Sequence, residues 1–269
     1  MESQLELEIL GGAAGARMRH RRPGVEDLPW GTIDQARFTD DGLIEARKVW
    51  TNGVFTEYAS AAAFAAMAGA FLECGAPIDL SAAAADIVVD EMDHAEVASR
   101  LVMELGGAVP YRFDLAKVSP ITTPGISPIL RAAELAITTS CVGEALSISA
   151  LSRSLAMTEH PLVRAVLDRL LRDEGTHARI GTWYLQWAAD RLTAGDRAHL
   201  AQIALDAIAV YQPLWKDRCE DCETPADLGG MPVASHAQVM VDAVRTRIAR
   251  PLERLGIAID AERLEALLA

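Results

Sequence analysis

Two copies of one five-residue pattern constrain this chain more than anything else in it. Asp90-Glu91-Met92-Asp93-His94 and Asp173-Glu174-Gly175-Thr176-His177 both read Asp-Glu-x-x-His, and each lies in a long segment with helical periodicity. Side chains three residues apart on an α-helix share a face, so Glu91/His94 and Glu174/His177 each present a carboxylate beside an imidazole. Both pairs fall on the apolar stripe of their segment. A carboxylate taken out of water is strongly destabilising unless a cation or a full set of hydrogen bonds meets it. The fold has to supply those partners.

The apolar periodicity gives four long helices around these pairs. The first opens at Asp40 or Asp41, good capping residues, and runs to Cys74. Its stripe is Val54, Glu57, Ala61, Phe64, Ala68 and Phe71, with a bend expected at Asn52-Gly53, and Gly75-Ala76-Pro77 ends it. The second runs from about Ser81 to Leu105 and carries Ile87, Glu91, His94, Ala98 and Leu101 on its stripe. Residues 108–127 hold three prolines and no helical period. The third opens at Ser127-Pro128, an N-cap followed by proline at the first helical position. Ile137, Cys141, Glu144, Ile148 and Leu151 lie on its stripe, and Thr158–Pro161 is the next turn. The fourth carries Leu170, Glu174, His177, Gly181 and Tyr184 and ends near Leu192.

Turn positions decide which of these residues meet. In an antiparallel helix pair, residues at one height lie equally far from the turn. Glu57 and the centre of Glu91/His94 have their sequence midpoint at about residue 75, inside the first turn. Glu144 and the centre of Glu174/His177 have theirs at about residue 160, inside the second turn. Each hairpin therefore brings one more carboxylate level with its Glu-x-x-His. The linker between the hairpins has a purpose if the second and third helices run parallel. Twenty helical residues span about 30 Å and twenty extended residues reach roughly 66 Å, so residues 108–127 can return the length of a bundle. The expected fold is all-α: a four-helix bundle with one long crossover over 41–192, preceded by an arm over 1–40 and followed by a helical extension over 193–269 packed on the bundle.

Four carboxylates and two histidines are a donor set that neutralises two divalent ions, and imidazole with carboxylate suits iron or manganese. The candidate metal ligands are Glu57, Glu91, His94, Glu144, Glu174 and His177; the competing reading is a buried salt-bridge network without metal. Asp90 and Asp173 suit a supporting role, each accepting a hydrogen bond from the other hairpin's histidine: Asp90 from His177 and Asp173 from His94. Tyr58 and Tyr184, on ligand helices, and Cys141, three residues before Glu144, are further candidates for groups around the metals; for each, plain core packing is the competing reading. Trp183 and Trp187 read as packing residues, and His20, His160 and His199 receive no role.

The flanks are less informative. Residues 1–40 carry glycines, a basic cluster and a proline without sustained period, which reads as an arm flexible to about Pro23 and loosely packed through Leu28 and Trp30. Thr193-Ala-Gly-Asp196 resembles a capping box opening a fifth helix to about Tyr211, Ser235 caps another helix that meets Pro251, and AERLEALL closes the chain. Cys219 and Cys222 offer half of a zinc or iron site, with only His236 nearby; two reduced thiols in a polar loop is the simpler reading. The net charge is −13, from 25 basic and 38 acidic residues, which argues against nucleic acid or an anionic membrane surface as main partner. No apolar run of membrane-spanning length is free of charge, the start MESQLELEIL lacks the features of a secretory signal, and Arg21-Arg22 is not followed by an apolar segment. Four cysteines make no disulfide framework for this length, so a cytoplasmic location is the expectation. A homodimer is compatible with the sequence.

In the order Glu57, Glu-Met-Asp-His, Glu144, Glu-Gly-Thr-His, the chain resembles the ferritin-like di-iron carboxylate superfamily over about residues 45–192. The phrases TEYASAAAFAAMA, CVGEALS and DEGTHARIGTWYLQW also resemble a bacterial group of ferritin-like domain proteins of unassigned substrate. The resemblance implies two iron ions, with manganese as the alternative, and O₂ or peroxide chemistry. It differs from rubrerythrin-like proteins in lacking a four-cysteine site, and from the arylamine N-oxygenases in having Leu170 where those carry an added histidine. Iron-storage ferritins are shorter; manganese catalases have similar length and ligand order. The expected activity is that of a non-haem di-iron oxidoreductase acting on a small organic substrate with an electron donor. The alternatives are a ferroxidase or peroxide-detoxifying protein without organic substrate, and a non-enzymatic metal-binding or interaction protein.

Overall fold

The computed structural model describes residues 2–4, 7–114, 118–216 and 224–269. Four long helices dominate it: α2 (Asp40–Glu73), α3 (Ile78–Glu104), α4 (Pro128–Met157) and α5 (Pro161–Trp187). Before them comes α1 (Gly12–Arg21); after them come α6 (Ala194–Tyr211), the short α7 (Pro213–Lys216), α8 (Val233–Ala243, continued by Val244–Ala249 and Arg250–Arg254) and α9 (Ala261–Leu268). The fold is the expected all-α bundle with its long crossover between α3 and α4.

Sequence chemistry explains the two hairpins. α2 starts because the Thr39 hydroxyl accepts from the Gly42 amide, so the cap is Thr39 rather than Asp40 or Asp41. The helix continues unbroken through Asn52-Gly53. It stops in a Schellman motif: Gly75 takes φ of 68°, its amide bonds Leu72 C=O, and the Ala76 amide bonds Phe71 C=O. α4 opens at Ser127, whose hydroxyl accepts from the Leu130 amide, with Pro128 first in the helix. α6 opens with a full capping box between Thr193 and Asp196.

Two local structures depart from the sequence pattern. Residues Ala136–Glu144 in the middle of α4 are π-helical. Nearly every residue there is buried, so the apolar stripe that should mark the helix phase is lost. The other is a pair of short antiparallel strands, β1 (Glu2–Gln4) and β2 (Arg112–Asp114), which ties the N-terminus to the crossover with Ser3 opposite Phe113. Within residues 1–40, where an arm without periodicity is expected, α1 forms a regular helix. It buries no side chain of its own and is held instead by arginines. At the other end, α8 begins at Val233, so Ser235 lies inside its first turn. Cys219 and Cys222 lie outside the described residues.

The core divides in two. One cluster gathers Phe64, Met67, Phe71, Ile87, Ile137, Val142, Ile180 and Tyr184 with the α6 and α8 helices. The other gathers Val54, Val97, Leu101, Leu162, Val166 and Leu170 with the segment around Val25. The gap between Val54 and Phe64 on α2 holds Glu57, that between Ile87 and Val97 on α3 holds Glu91 and His94, and that between Leu170 and Ile180 on α5 holds Glu174 and His177. A polar layer thus crosses the bundle between two apolar ones. By composition α2 and α4 are long and apolar enough to cross a membrane; here they are bundle helices, with 61% of the apolar window of α4 buried against its neighbours.

Phe71 is fully buried and stacks on Tyr184 at 4.5 Å, whereas its neighbour Leu72 is 70% exposed. Phe71→Ala is expected to cost about 3–5 kcal/mol in denaturant unfolding, and Leu72→Ala less than about 0.5 kcal/mol.

Candidate metal centre

All six predicted ligands converge in the polar layer. Three overlapping groups have donor atoms within 4.8 Å of one another: Glu91, His94 and His177; Glu57, His94 and Glu174; and Glu144, Glu174 and His177. Glu91, His94, Glu174 and His177 are fully buried. His94 Nδ1 lies 3.5 Å from Glu57, 3.6 Å from Glu174 and 3.8 Å from Glu91. His177 Nδ1 lies 3.0 Å from Glu91 and 3.7 Å from Glu174. Glu91 and Glu174 thus each lie within 3.8 Å of both histidines, and the two imidazole rings are 5.6 Å apart.

The donors face one another without satisfying one another. Both carboxylate oxygens of Glu91 and of Glu174, and Nδ1 of both histidines, are buried with no hydrogen-bond partner among the described residues. Six buried polar atoms without a hydrogen bond, gathered in one layer, are costly in a core, since each forfeits its water. Electrostatics tells the same story. Burial, then the charges of Glu144 and Glu57, pushes the Glu91 carboxyl well above the usual range. Burial, then Glu144, Glu57 and Glu91, does the same to Glu174. Burial pushes the His94 ring down, but Asp173, Glu57 and Glu91 outweigh it and raise it to about 10. The Glu57 carboxyl, pushed up by burial, is brought below the ordinary range by the neighbouring His94 ring. The cluster asks for positive charge at its centre. The donor types, four carboxylates and two imidazoles, fit two divalent cations.

The opposite ring nitrogens are held from outside. His177 Nε2 lies 3.2 Å from Asp90 Oδ2, and His94 Nε2 lies 3.4 Å from Asp173 Oδ2. Each imidazole is thereby turned so that Nδ1 points inward. The two aspartates belong to the opposite hairpin from the histidine they touch, so these contacts also cross-link α3 and α5. The Asp173 side chain is 34% exposed and the Asp90 side chain 12%.

Three further residues around the site had no signal in the sequence beyond their position. Ser60, one turn beyond Glu57 on α2, donates to Glu144 Oε1 at 2.7 Å and fixes that carboxylate. Ser140, in the π-helical turn, donates to His177 C=O at 2.5 Å and accepts from the Gly181 amide at 2.9 Å. It thus holds the α5 backbone at the ligand itself. Arg22, from beyond the bundle, donates through Nε to Asp90. Tyr58, Tyr184 and Cys141 have other partners. Tyr58 packs near Phe113. The Tyr184 hydroxyl donates to Ile129 C=O at 2.8 Å, and lies 3.6 Å from Cys74 Sγ. Cys141 is a buried thiol pushed up to about 12 by desolvation, packed beside Gly181 where α4 meets α5.

A cavity of about 220 Å³ opens against Glu57. Its walls come from Trp50 and Thr56 of α2, Ala98 of α3, Leu151 of α4, and Leu167 and Leu170 of α5. Thr224, Gly229, Gly230, Met231 and His236 cover it. That covering loop is fastened by Trp50 Nε1, which donates to Leu228 C=O at 2.8 Å, and by Thr158 Oγ1, which donates to Ala226 C=O at 2.7 Å. The crossover over 108–127 contributes no wall residue among those described.

Against this geometry, comparison with solved structures identifies the architecture. A protein with aldehyde deformylating oxidase activity from Synechococcus superposes on 88% of this chain and 99% of its own at a TM-score of 0.61 and 15% identity. The chain has the ferritin-like fold. A variant R2-like ligand-binding oxidase with an aerobically reconstituted Mn/Fe cofactor aligns over 94% of this chain and 90% of its own, at a TM-score of 0.49 and 14% identity. No protein-family model and no curated protein sequence matches the chain.

The contact between α4 and α5 is testable. A Cβ on Gly181 would stand 2.5 Å from Ala136 C=O and 2.8 Å from Ser140 Cβ. Gly181→Ala is expected to destabilise by about 1–3 kcal/mol and to lower metal content, because the strain falls one turn from His177. Gly69→Ala, where a Cβ meets nothing within 4 Å, should be neutral or stabilising by up to about 1 kcal/mol. Urea unfolding with metal analysis checks both.

Proposed function

We propose that the protein is a non-haem di-iron oxidoreductase that uses O₂ or peroxide to oxidise a small organic molecule, with manganese able to replace iron in the same donor set. The observation that carries the reading is the cavity against Glu57. A ferroxidase or a peroxide-detoxifying protein needs only an ion-sized path to its metals. Here the space beside a ligand carboxylate exceeds the roughly 150 Å³ of an apolar cavity known to take up benzene. The shared fold with an enzyme of oxidase activity supports the same class.

Two iron ions held by the six side chains would supply the redox chemistry with O₂ or peroxide. The chain does the rest. Glu57, Glu91 and His94 hold one half of the centre, and Glu144, Glu174 and His177 hold the other; Glu91 and Glu174 lie within reach of both. Asp90 and Asp173 keep the Nε2 protons of His177 and His94 and so fix which nitrogen faces inward. Leu151, Leu167 and Leu170 give the cavity an apolar wall, which suits an apolar substrate. Thr56, Ser147, Ser154 and His236 give the cavity wall its hydrogen-bonding groups. The substrate this describes is compact and mainly apolar, with one polar group. An external reductant is the electron donor, and a cytoplasmic setting suits it.

Purified aerobically, the protein is expected to carry about two iron or manganese ions per chain by elemental analysis. Glu91→Ala and His177→Ala should lose most of that metal; a metal-free wild type of unchanged stability would sink the reading. Ala150, on the cavity wall, gives the second test. Ala150→Phe should leave metal content intact while abolishing substrate-dependent O₂ consumption. If no small organic molecule accelerates O₂ consumption by the wild type, and Ala150→Phe consumes O₂ with reductant or Fe(II) at the same rate, the ferroxidase class wins instead.

A further inference from the structure

Outside the six ligands, a network of charged side chains fills the seam where α1 and the turn after it lie on α3 and α5. Arg22 closes α1. Its Nε donates to Asp90 Oδ1, and its Nη2 donates to Asp86 C=O at 3.2 Å and lies 3.3 Å from the Asp86 carboxylate. Its Nη1 donates to the Arg21 C=O at 3.0 Å. The guanidinium is thus held at every nitrogen. The backbone that carries it is held as well, because Arg169 of α5 donates to Pro23 C=O at 3.0 Å and to Arg22 C=O at 3.4 Å. Arg169 is itself fixed to the fully buried Asp93 of α3 at 2.7 Å, and Arg19 bonds Glu96 one turn further on. Gly24, at φ of 89°, turns the chain directly after this clamp.

Asp90 is therefore gripped from two sides. One oxygen receives Arg22 and the other faces His177 Nε2 at 3.2 Å. Among the described residues no guanidinium hydrogen-bonds Asp173: it faces His94 Nε2 at 3.4 Å, stands 34% exposed at its side chain, and feels Arg22 only as a weaker, more distant charge. Resting on the metal-centre reading above, we propose that Arg22 is a positioning residue for the His177 half of the centre, so that the segment from Gly12 to Gly24 is part of the metal site although it lies outside the four-helix bundle. Arg22 fixes the Asp90 carboxylate. Asp90 fixes the ring plane and tautomer of His177, and the inward lone pair on Nδ1 follows. The inference also explains why α1 exists at all. With no buried side chain, it gains no core contact, and its arginines supply its anchorage.

The test is Mn(II) binding to the metal-stripped full-length chain, followed by titration calorimetry and by electron paramagnetic resonance, which separates singly from doubly loaded protein. Wild type should bind two ions. Arg22→Ala should weaken one of the two by about ten- to a hundred-fold, the usual effect of losing a group behind a metal-binding histidine, and leave the other within about twofold. Asp90→Ala should weaken the same ion, and the double variant should be no weaker than Asp90→Ala alone, because both act through one path. Arg22→Lys should recover part of the loss. Arg21→Ala, removing an exposed partner of Asp86, is the control and should bind as wild type does. Equal weakening of both ions, or full additivity of Arg22→Ala with Asp90→Ala, would mean that Arg22 is merely structural and would overturn the proposal. Two tight ions in Arg22→Ala would overturn it while leaving the metal reading intact. A wild type that binds no Mn(II) or Fe(II) would overturn both. If Arg22→Ala fails to fold, Arg22→Lys and Asp90→Asn carry the same comparison.

Discussion

Glu91 and Glu174 sit at 0% exposure with neither carboxylate oxygen bonded, in the middle of a bundle whose other buried residues are mostly apolar. This single unfavourable placement organises the rest. Carboxylates in such a position repel one another through a medium of low dielectric, and only protons or cations relieve them. The histidines cannot do so alone, since each turns one nitrogen outward to an aspartate. The two apolar clusters on either side exclude water that would otherwise relax the charges. They also fix the four helices at the spacing that makes the donors converge. The core stabilises the fold, and it does so at a geometry that leaves its polar layer under-satisfied.

Support around this layer comes from groups that belong to neighbouring elements. Ser60 of α2 holds a carboxylate of α4, Ser140 of α4 holds the α5 backbone, and the aspartates of each hairpin hold the histidine of the other. Such crossed contacts make the site a property of the whole bundle. The halves are nevertheless unequal. One is backed by an arginine from outside the bundle, and the other opens towards solvent at Asp173. The cavity adds a second asymmetry, because it reaches the centre at Glu57 and at no other ligand. Access and rigidity therefore differ from one side of the centre to the other.

Much of this was legible in the sequence. The repeated Asp-Glu-x-x-His and the positions of two turns were enough to bring six residues together, because helix rise is constant and an antiparallel pair is read from its turn. The long crossover followed from the same arithmetic. What escaped has identifiable physical causes. The π-helical turn left no mark because Ala136–Glu144 is buried almost all round, and a segment without a polar face has no phase to read. Arg22 lies in a stretch without periodicity, and its partners are 64 and 68 residues away. Nothing local distinguishes it from Arg21. The cavity depends on a loop beyond Tyr211, and loops follow from packing that a single sequence does not encode. Tyr184 and Cys141 were on the correct helices, yet α4 and α5 press together at Gly181 and leave them as packing residues.

The π-helical turn has one further consequence. A regular α-helix advances about 100° per residue, so any insertion or deletion rotates everything beyond it off the seam it was built for. In α4 the surplus backbone is taken up inside the polar layer, between the half that packs on α6 and the half that lines the cavity. The two halves thereby keep the phase of one continuous helix despite the extra residue. Removing one residue from the turn would let α4 run as a regular α-helix with both faces still in register, while the wider turn that places Ser140 and Glu144 in the polar layer would be lost. The surplus residue is spent on the metal layer, and the cavity wall and the packing face are untouched by it.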